Sequence, residues 1–183
     1  MNPSRKRVLC ILAPGFEETE AIAPIDLLRR AGAEVVLASL DGEAWVESRN
    51  KLAVRTDAPL ADANPADFDL FVVPGGPAVR ALRADGRAKE LARRFVEARK
   101  PVAAICAAPL ILEDAGLLDG RRFTAHDSTY GDLPRALASE RVVEDGLLTT
   151  SRGAGTSIDF GLALVRRLFG EAVAAEVASD IMA

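Results

Sequence analysis

Short apolar runs alternate along this chain with stretches of helical periodicity, and that alternation restricts the fold more than any other feature. Residues 8–13 form one compact apolar run, turned by Pro14-Gly15. Residues 18–30 then carry Ile22, Ile25, Leu27 and Leu28 as the apolar face of an amphipathic helix, stopped near Gly32, and residues 35–40 are a second run. The first forty residues therefore read as one βαβ unit. Residues 70–73 and 102–105 repeat the strand pattern, with a helix with an arginine-rich outer face over 89–99 between them and another over 107–115. Strands this apolar are suited to burial on both faces, which predicts an α/β fold with a mostly parallel sheet between two helical layers. The remaining segments are smaller. A hairpin is expected over 45–56, a loop over 57–68, a short edge strand over 121–126, and a second hairpin from 141–144 and 147–151 joined by Asp145-Gly146. A long helix to about 169 opens at 153–157, with Thr156 and Asp159 spaced like a capping box and Gly170 as its stop, and a last helix covers 171–178.

A length of 183 residues without repeats or linkers reads as one domain spanning 1–183. The net charge of −4 gives no reason to expect nucleic acid or an anionic membrane as partner. No apolar run approaches the ~20 residues that span a bilayer. The start, 1–7 followed by 8–12, faintly imitates a signal peptide. Its apolar part is too short, however, and Glu17, Glu18 and Glu20 stand where small residues should allow cleavage, so a cytoplasmic location is expected. Cys10 and Cys106 lie in separate strand-like segments, and with a single histidine they form no metal-ligand pattern; neither metal nor cofactor is expected.

Ligands of parallel sheets bind beyond the carboxyl ends of the strands, and there the unusual residues gather. Cys106 ends its strand at a corner into a helix whose first turn holds Pro109. A helix N-terminus aimed at the sulfur favours thiolate, so Cys106 is the candidate nucleophile, whereas Cys10 sits among apolar neighbours as a structural residue. Glu17, Glu18 and Glu20 follow the first strand; one of them turned inward beside a thiolate should have a raised pKa, and periodicity does not single out which. Gly75-Gly76 is either a tight turn or a close approach of backbone N–H groups to a substrate oxyanion. Gly153 to Ser157 lacks the lysine and the spacing of a phosphate loop and reads as helix entry. His126 is either a base near Cys106 or a surface residue.

These motifs, in order, resemble the DJ-1/ThiJ/PfpI superfamily: Gly-Phe-Glu-Glu-Thr-Glu at 15–20, Val-Val-Pro-Gly-Gly at 72–76, Ala-Ala-Ile-Cys-Ala-Ala-Pro at 103–109 and Thr-Ser-Arg-Gly-Ala-Gly-Thr-Ser at 150–157. The match is to the branch of the parkinsonism-associated protein and bacterial YajL-type proteins, and it covers nearly the whole chain. The resemblance implies a flavodoxin-like three-layer sandwich with a nucleophile elbow, a homodimer, and an oxidation-sensitive nucleophile at Cys106. It assigns the partner carboxyl to Glu20, the nearby histidine to His126, the oxyanion or substrate-binding backbone to Gly75, Gly76 and Ala107, and dimer contacts near the pocket to Arg30 and Arg49. The activity it implies is action on reactive carbonyls: a glutathione-independent glyoxalase converting methylglyoxal to lactate, or a deglycase of glyoxal- and methylglyoxal-modified amino acids, proteins and nucleotides. A redox sensor or chaperone using a Cys106 sulfinate, and a hydratase or amidase of the same fold, are the alternatives. Ala108 and Ala154 depart from the glycine and proline of many members. Ala107 stands where peptidase branches place a histidine, which argues against peptidase activity.

Overall fold

The computed structural model describes residues 5–183; the first part of the signal-like start, residues 1–4, lies outside the described residues. Nine strands and six helices follow in order: β1 (Arg7–Leu12), α1 (Glu18–Arg30), β2 (Glu34–Ser39), β3 (Trp45–Glu47), β4 (Ala53–Arg55), β5 (Ala58–Pro59), β6 (Leu70–Val73), α2 (Ala78–Asp85), α3 (Arg87–Glu97), β7 (Val102–Ile105), α4 (Pro109–Asp114), β8 (Val142–Asp145), β9 (Leu148–Ser151), α5 (Ser157–Phe169) and α6 (Glu171–Asp180). Seven strands form one sheet in the order β5-β2-β1-β6-β7-β9-β8, parallel throughout except for β8, and β3-β4 is a separate antiparallel hairpin. Helices α1 and α5 pack together on one face, with α6 behind them, and α2, α3 and α4 pack on the other. This is the flavodoxin-like three-layer arrangement. No helix among the described residues is long and apolar enough to cross a membrane.

The central strands are buried along their whole length. β6 and β7 have no exposed residue, and β1 has none after Arg7, which is why their sequences show no polar alternation. Helix α1 turns Ala21, Pro24, Ile25 and Leu28 inward. It meets α5 at Gly161, where an added Cβ would lie 2.6 Å from Leu27 Cδ1 and 3.0 Å from the Pro24 Cα.

Several smaller expectations change. Residues 121–126 are not an edge strand: both edges of β9 are taken, by β7 and β8. Thr124 N–H instead donates to the side chain of Thr150 at 2.9 Å, and its hydroxyl donates to Leu137 O at 2.8 Å. Part of the expected loop over 57–68 is the two-residue strand β5, paired with Ala38 and Ser39. Helix α2 was not expected at all. The helix after the cysteine is confined to six residues, and α3 starts and ends two residues earlier than its periodicity suggests. Thr156 does not cap α5; its hydroxyl meets Ser151 Oγ at 2.6 Å and donates to Gly153 O at 2.8 Å.

Candidate active site

The four central parallel strands, β1, β6, β7 and β9, are neighbours in the sheet, so the segments leaving their carboxyl ends meet at one edge. Glu20 comes from the first turn of α1, Gly75 and Gly76 follow β6, Cys106 follows β7 and Gly153 follows β9. Cys106 has φ +64, a left-handed conformation that costs a non-glycine residue about 1–3 kcal/mol. Both its backbone groups are tied down: its N–H donates to Ser151 O and its carbonyl accepts from His126 N–H, each at 2.9 Å. The elbow is thus held between the end of β9 and the chain beyond α4, and it turns the sulfur out of the sheet.

Glu20 is 1% exposed. Glu17 is the N-cap of α1, and its side chain accepts from the Glu20 N–H at 2.8 Å, which fixes the first turn. Glu20 Oε2 accepts from Gly75 N–H at 3.0 Å. Gly75 is a glycine for reasons of space, since a Cβ there would lie 2.6 Å from Glu20 Oε2 and 2.7 Å from Cys106 Cβ. Gly76 is one for conformation as well, with φ +85 and Glu17 N 2.6 Å from where a Cβ would be. The oxyanion expectation is corrected at one position. Gly75 N–H is turned to the Glu20 carboxyl, and the N–H groups that act on the sulfur are those of Gly76 and Ala107.

Burial pushes the Glu20 carboxyl up to about 7; the hydrogen bond with Cys106 pulls it down, the charge of Glu17 pushes it up, and Gly75 N–H and the Arg49 charge pull it down. Burial likewise pushes the Cys106 thiol up to about 12, with the charge and hydrogen bond of Glu20 adding to it and the N–H groups of Gly76 and Ala107 opposing. The helix N-terminus therefore does not lower this thiol as the sequence suggests: α4 is short, begins three residues on, and is outweighed by desolvation and a neighbouring carboxylate. What the geometry makes is a pair. Two acids in contact cannot readily both ionise, so they share one proton over the interval between the two values.

His126 is half-exposed, with Nδ1 2.9 Å from Ser128 Oγ and 3.0 Å from Asp127 Oδ1. Gly153 joins these residues. A Cβ at Gly153 would lie 3.2 Å from His126 Cδ2, 3.7 Å from Glu20 Oε1 and 4.0 Å from Cys106 Sγ. The backbone there is extended, φ 162, so conformation does not require glycine; the residue keeps a space open. From sequence alone 153–157 is a helix entry; the open space at Gly153 comes from tertiary packing, and the pair of glycines at 153 and 155 is its only local sign. Arg49 lies close enough for its charge to act on Glu20, and its N–H donates to Phe16 O at 2.9 Å. Arg30 is at the opposite end of α1, paired with Asp26 at 2.7 Å, and does not reach the site within one chain. Cys10 is wholly buried in β1, where burial pushes its thiol up to about 12. No group of side chains among the described residues has the makings of a metal site.

Fold and site together define a class: flavodoxin-like α/β proteins with a cysteine on a strained strand-to-helix elbow beside a buried carboxyl. The chain belongs to the DJ-1/PfpI family, whose model matches residues 6–167. It is 38% identical over 167 residues to Protein DJ-1 homolog B of Arabidopsis thaliana, an alignment covering 90% of this chain and 38% of the plant protein. The chain spans less than half the length of that relative and of its paralogue, homolog A. The crystal structure of Drosophila melanogaster DJ-1beta superposes with a TM-score of 0.92 at 36% identity, covering 97% of this chain and 98% of the fly protein. A Bacillus subtilis relative, YraA, 35% identical over 149 residues that cover 79% of this chain and 88% of its own, bears a provisional cysteine-protease name.

Proposed function

We propose that this protein is a cysteine-dependent enzyme acting on reactive carbonyls, as a glutathione-independent glyoxalase or a deglycase, with Cys106 as nucleophile and Glu20 as acid and base. The observation that carries the reading is the contact of Cys106 with a buried carboxyl that titrates near neutrality, beside a space kept open by Gly153. Taken separately, the two values put the first charge on Glu20; because the pair shares one proton, the reactive form is the one with that proton on Glu20 and the charge on sulfur. Cys106 is part-exposed where Glu20 is buried, and two N–H groups, of Gly76 and Ala107, act on the sulfur against one from Gly75 on the carboxyl.

In the glyoxalase route the thiolate attacks the aldehyde carbon, a C–S bond forms, and the carbonyl electron pair moves to oxygen, which takes the proton of Glu20. The resulting carboxylate removes the C–H proton of the hemithioacetal, giving an enediolate, and the same proton returns to the neighbouring carbon while the hydroxyl proton passes from the first oxygen to the second. One carbon is oxidised from aldehyde to thioester and its neighbour reduced from ketone to alcohol, so no external oxidant is needed. Water hydrolyses the thioester, releasing the 2-hydroxy acid and the thiol. Deglycation uses the same nucleophile and acid on an aminocarbinol adduct. His126 lies beside the open space and reaches the reaction only through bound substrate or water. Ala107 leaves no histidine after the nucleophile, which supports carbonyl chemistry over peptidase activity. We also propose a homodimer, on the resemblance and on apolar groups the single chain leaves open.

The test is turnover of methylglyoxal by the wild-type protein and by Cys106→Ala. Cys106-dependent lactate formation is expected, and equal, negligible rates in the two would overturn the reading. A redox role for the same pair predicts a different readout for Glu20→Gln, altered peroxide sensitivity of Cys106 with no turnover to lose.

A further inference from the structure

A cavity of about 420 Å³ is walled by His126, Arg141, Arg152 and Gly153, with Thr156 at its base. Gly153 borders both this cavity and the sulfur, because the direction its missing Cβ would take leads to His126, Glu20 and Cys106 within 4.0 Å. Gly153 and His126 thus stand between this cavity and the nucleophile, and the cavity's volume exceeds what a three-carbon dicarbonyl fills. Its charges are unevenly committed. Arg141 is bound to Asp159 and donates to Gly155 O at 2.9 Å. Asp127 stands against His126 at 3.0 Å. Arg152 is exposed, and among the described residues its guanidinium takes part in no hydrogen bond or ion pair.

We infer that this cavity holds an anionic group of the substrate, with Arg152 as the residue that selects for it, so that the preferred substrates are 2-oxoaldehydes bearing a carboxylate or phosphate. This rests on the carbonyl reading above. The physical argument is one of charge. A singly ionised Cys106–Glu20 pair repels an incoming anion, and the uncommitted arginine next to Gly153 offsets that charge and offers a planar pair of donors matched to either oxyanion.

The experiment compares kcat/KM for 4,5-dioxopentanoate (carboxylate), for 3-phosphooxy-2-oxopropanal (phosphate) and for the neutral 2-oxopentanal, in wild type, Arg152→Gln and Arg152→Lys. The expected result is an anionic-to-neutral ratio of kcat/KM of at least ten in wild type. It should fall about tenfold in Arg152→Gln, mainly through KM, and be partly restored in Arg152→Lys. Whichever anion shows the larger Arg152-dependent ratio identifies the natural group. A ratio near one, or one that Arg152→Gln leaves alone, overturns the inference while leaving the carbonyl reading intact. If no dicarbonyl is turned over, protection of Cys106 from iodoacetamide by 2-hydroxyglutarate and by inorganic phosphate still decides it. Protection weakened about tenfold in Arg152→Gln supports the anion site. Equal protection in both proteins, or none in wild type, removes it.

Discussion

At Cys106 and Glu20 the chemistry depends on one shared proton, and two pH experiments follow from it. The pair loses its first proton near the Glu20 value of about 7, and alkylation of Cys106 by iodoacetamide is expected to begin rising there through the form that leaves the proton on Glu20 and the charge on sulfur. A rise only toward about 12 would mean that Glu20 ionises first and leaves a thiol. Folding stability carries the same signature with a definite sign. The Glu20 carboxyl is raised from an unfolded value of 4.5 to about 7, so between these values the folded state binds more protons than the unfolded one. Its contribution is complete below about pH 4.5 and is lost as pH rises through about 7, by at most roughly 3 kcal/mol. Urea denaturation across that interval should show the fall, and Glu20→Gln should flatten it. Among the three glutamates after the first strand, periodicity did not distinguish the inward one, because all three lie within a turn of the helix start. The distinction is tertiary: Gly75 N–H, in the loop after β6, donates to the Glu20 carboxyl. Cys106 was legible because its corner is local, whereas the effect of burial and Glu20 on its thiol was not, because both come from elsewhere in the chain.

At the scale of elements, the central strands β1, β2, β6 and β7 are legible to within a residue, since compact apolar runs leave few alternatives. Helix α2 is not legible from the sequence pattern, and Gly86, with φ +85, both ends it and starts α3. Residues 121–126 have the composition of a strand and no free edge to join. The contact between α1 and α5 depends on a single small residue and gives a sharper test. Gly161→Ala gains about 1 kcal/mol in helix propensity. Against this, the new methyl would meet the Pro24 Cα at 3.0 Å as well as the movable end of Leu27. Backbone cannot yield as a side-chain tip does, so the helices must separate, at a cost of about 1–3 kcal/mol. The expected net effect is a loss of up to about 2 kcal/mol in chemical denaturation. A more stable variant would show that the α1–α5 interface is slack. Since Glu20 rides on α1, a displaced helix should also slow Cys106-dependent turnover.

For the whole molecule, the apolar groups left exposed bear on assembly. Ile22 on the outer side of α1 is 37% exposed, Leu52 beside β4 is 49% exposed and Trp45 of β3 is 63% exposed. Ile22 and Val54 also line a shared groove of about 560 Å³ between α1 and the hairpin. Scattered apolar side chains need no explanation, but a helix face and a hairpin bordering one groove make a surface that a second copy of the chain can cover. A stable contact would need to bury about 800 Å² on each partner. Light scattering is expected to give twice the 19.4 kDa of one chain. Ile22→Glu places a charge at the centre of that surface while leaving the inward face of α1 untouched, and it should shift the protein to monomer with its fold retained. If the mutant stays dimeric, the contact lies on another face; if wild type is monomeric at micromolar concentration, the dimer proposal fails. The connection to chemistry runs through the turn before α1 and the hairpin. The loop around Arg49 is anchored to Phe16 at 2.9 Å, just before the first turn that carries Glu20, and Gly15 N–H is held by Glu47 O at 2.9 Å. A partner clamping the hairpin would therefore also stiffen the start of α1. Dissociation by Ile22→Glu should then loosen the Glu20 carboxyl and broaden the pH profile of Cys106 alkylation, an outcome that separates an assembly needed for the site from one that merely covers apolar surface.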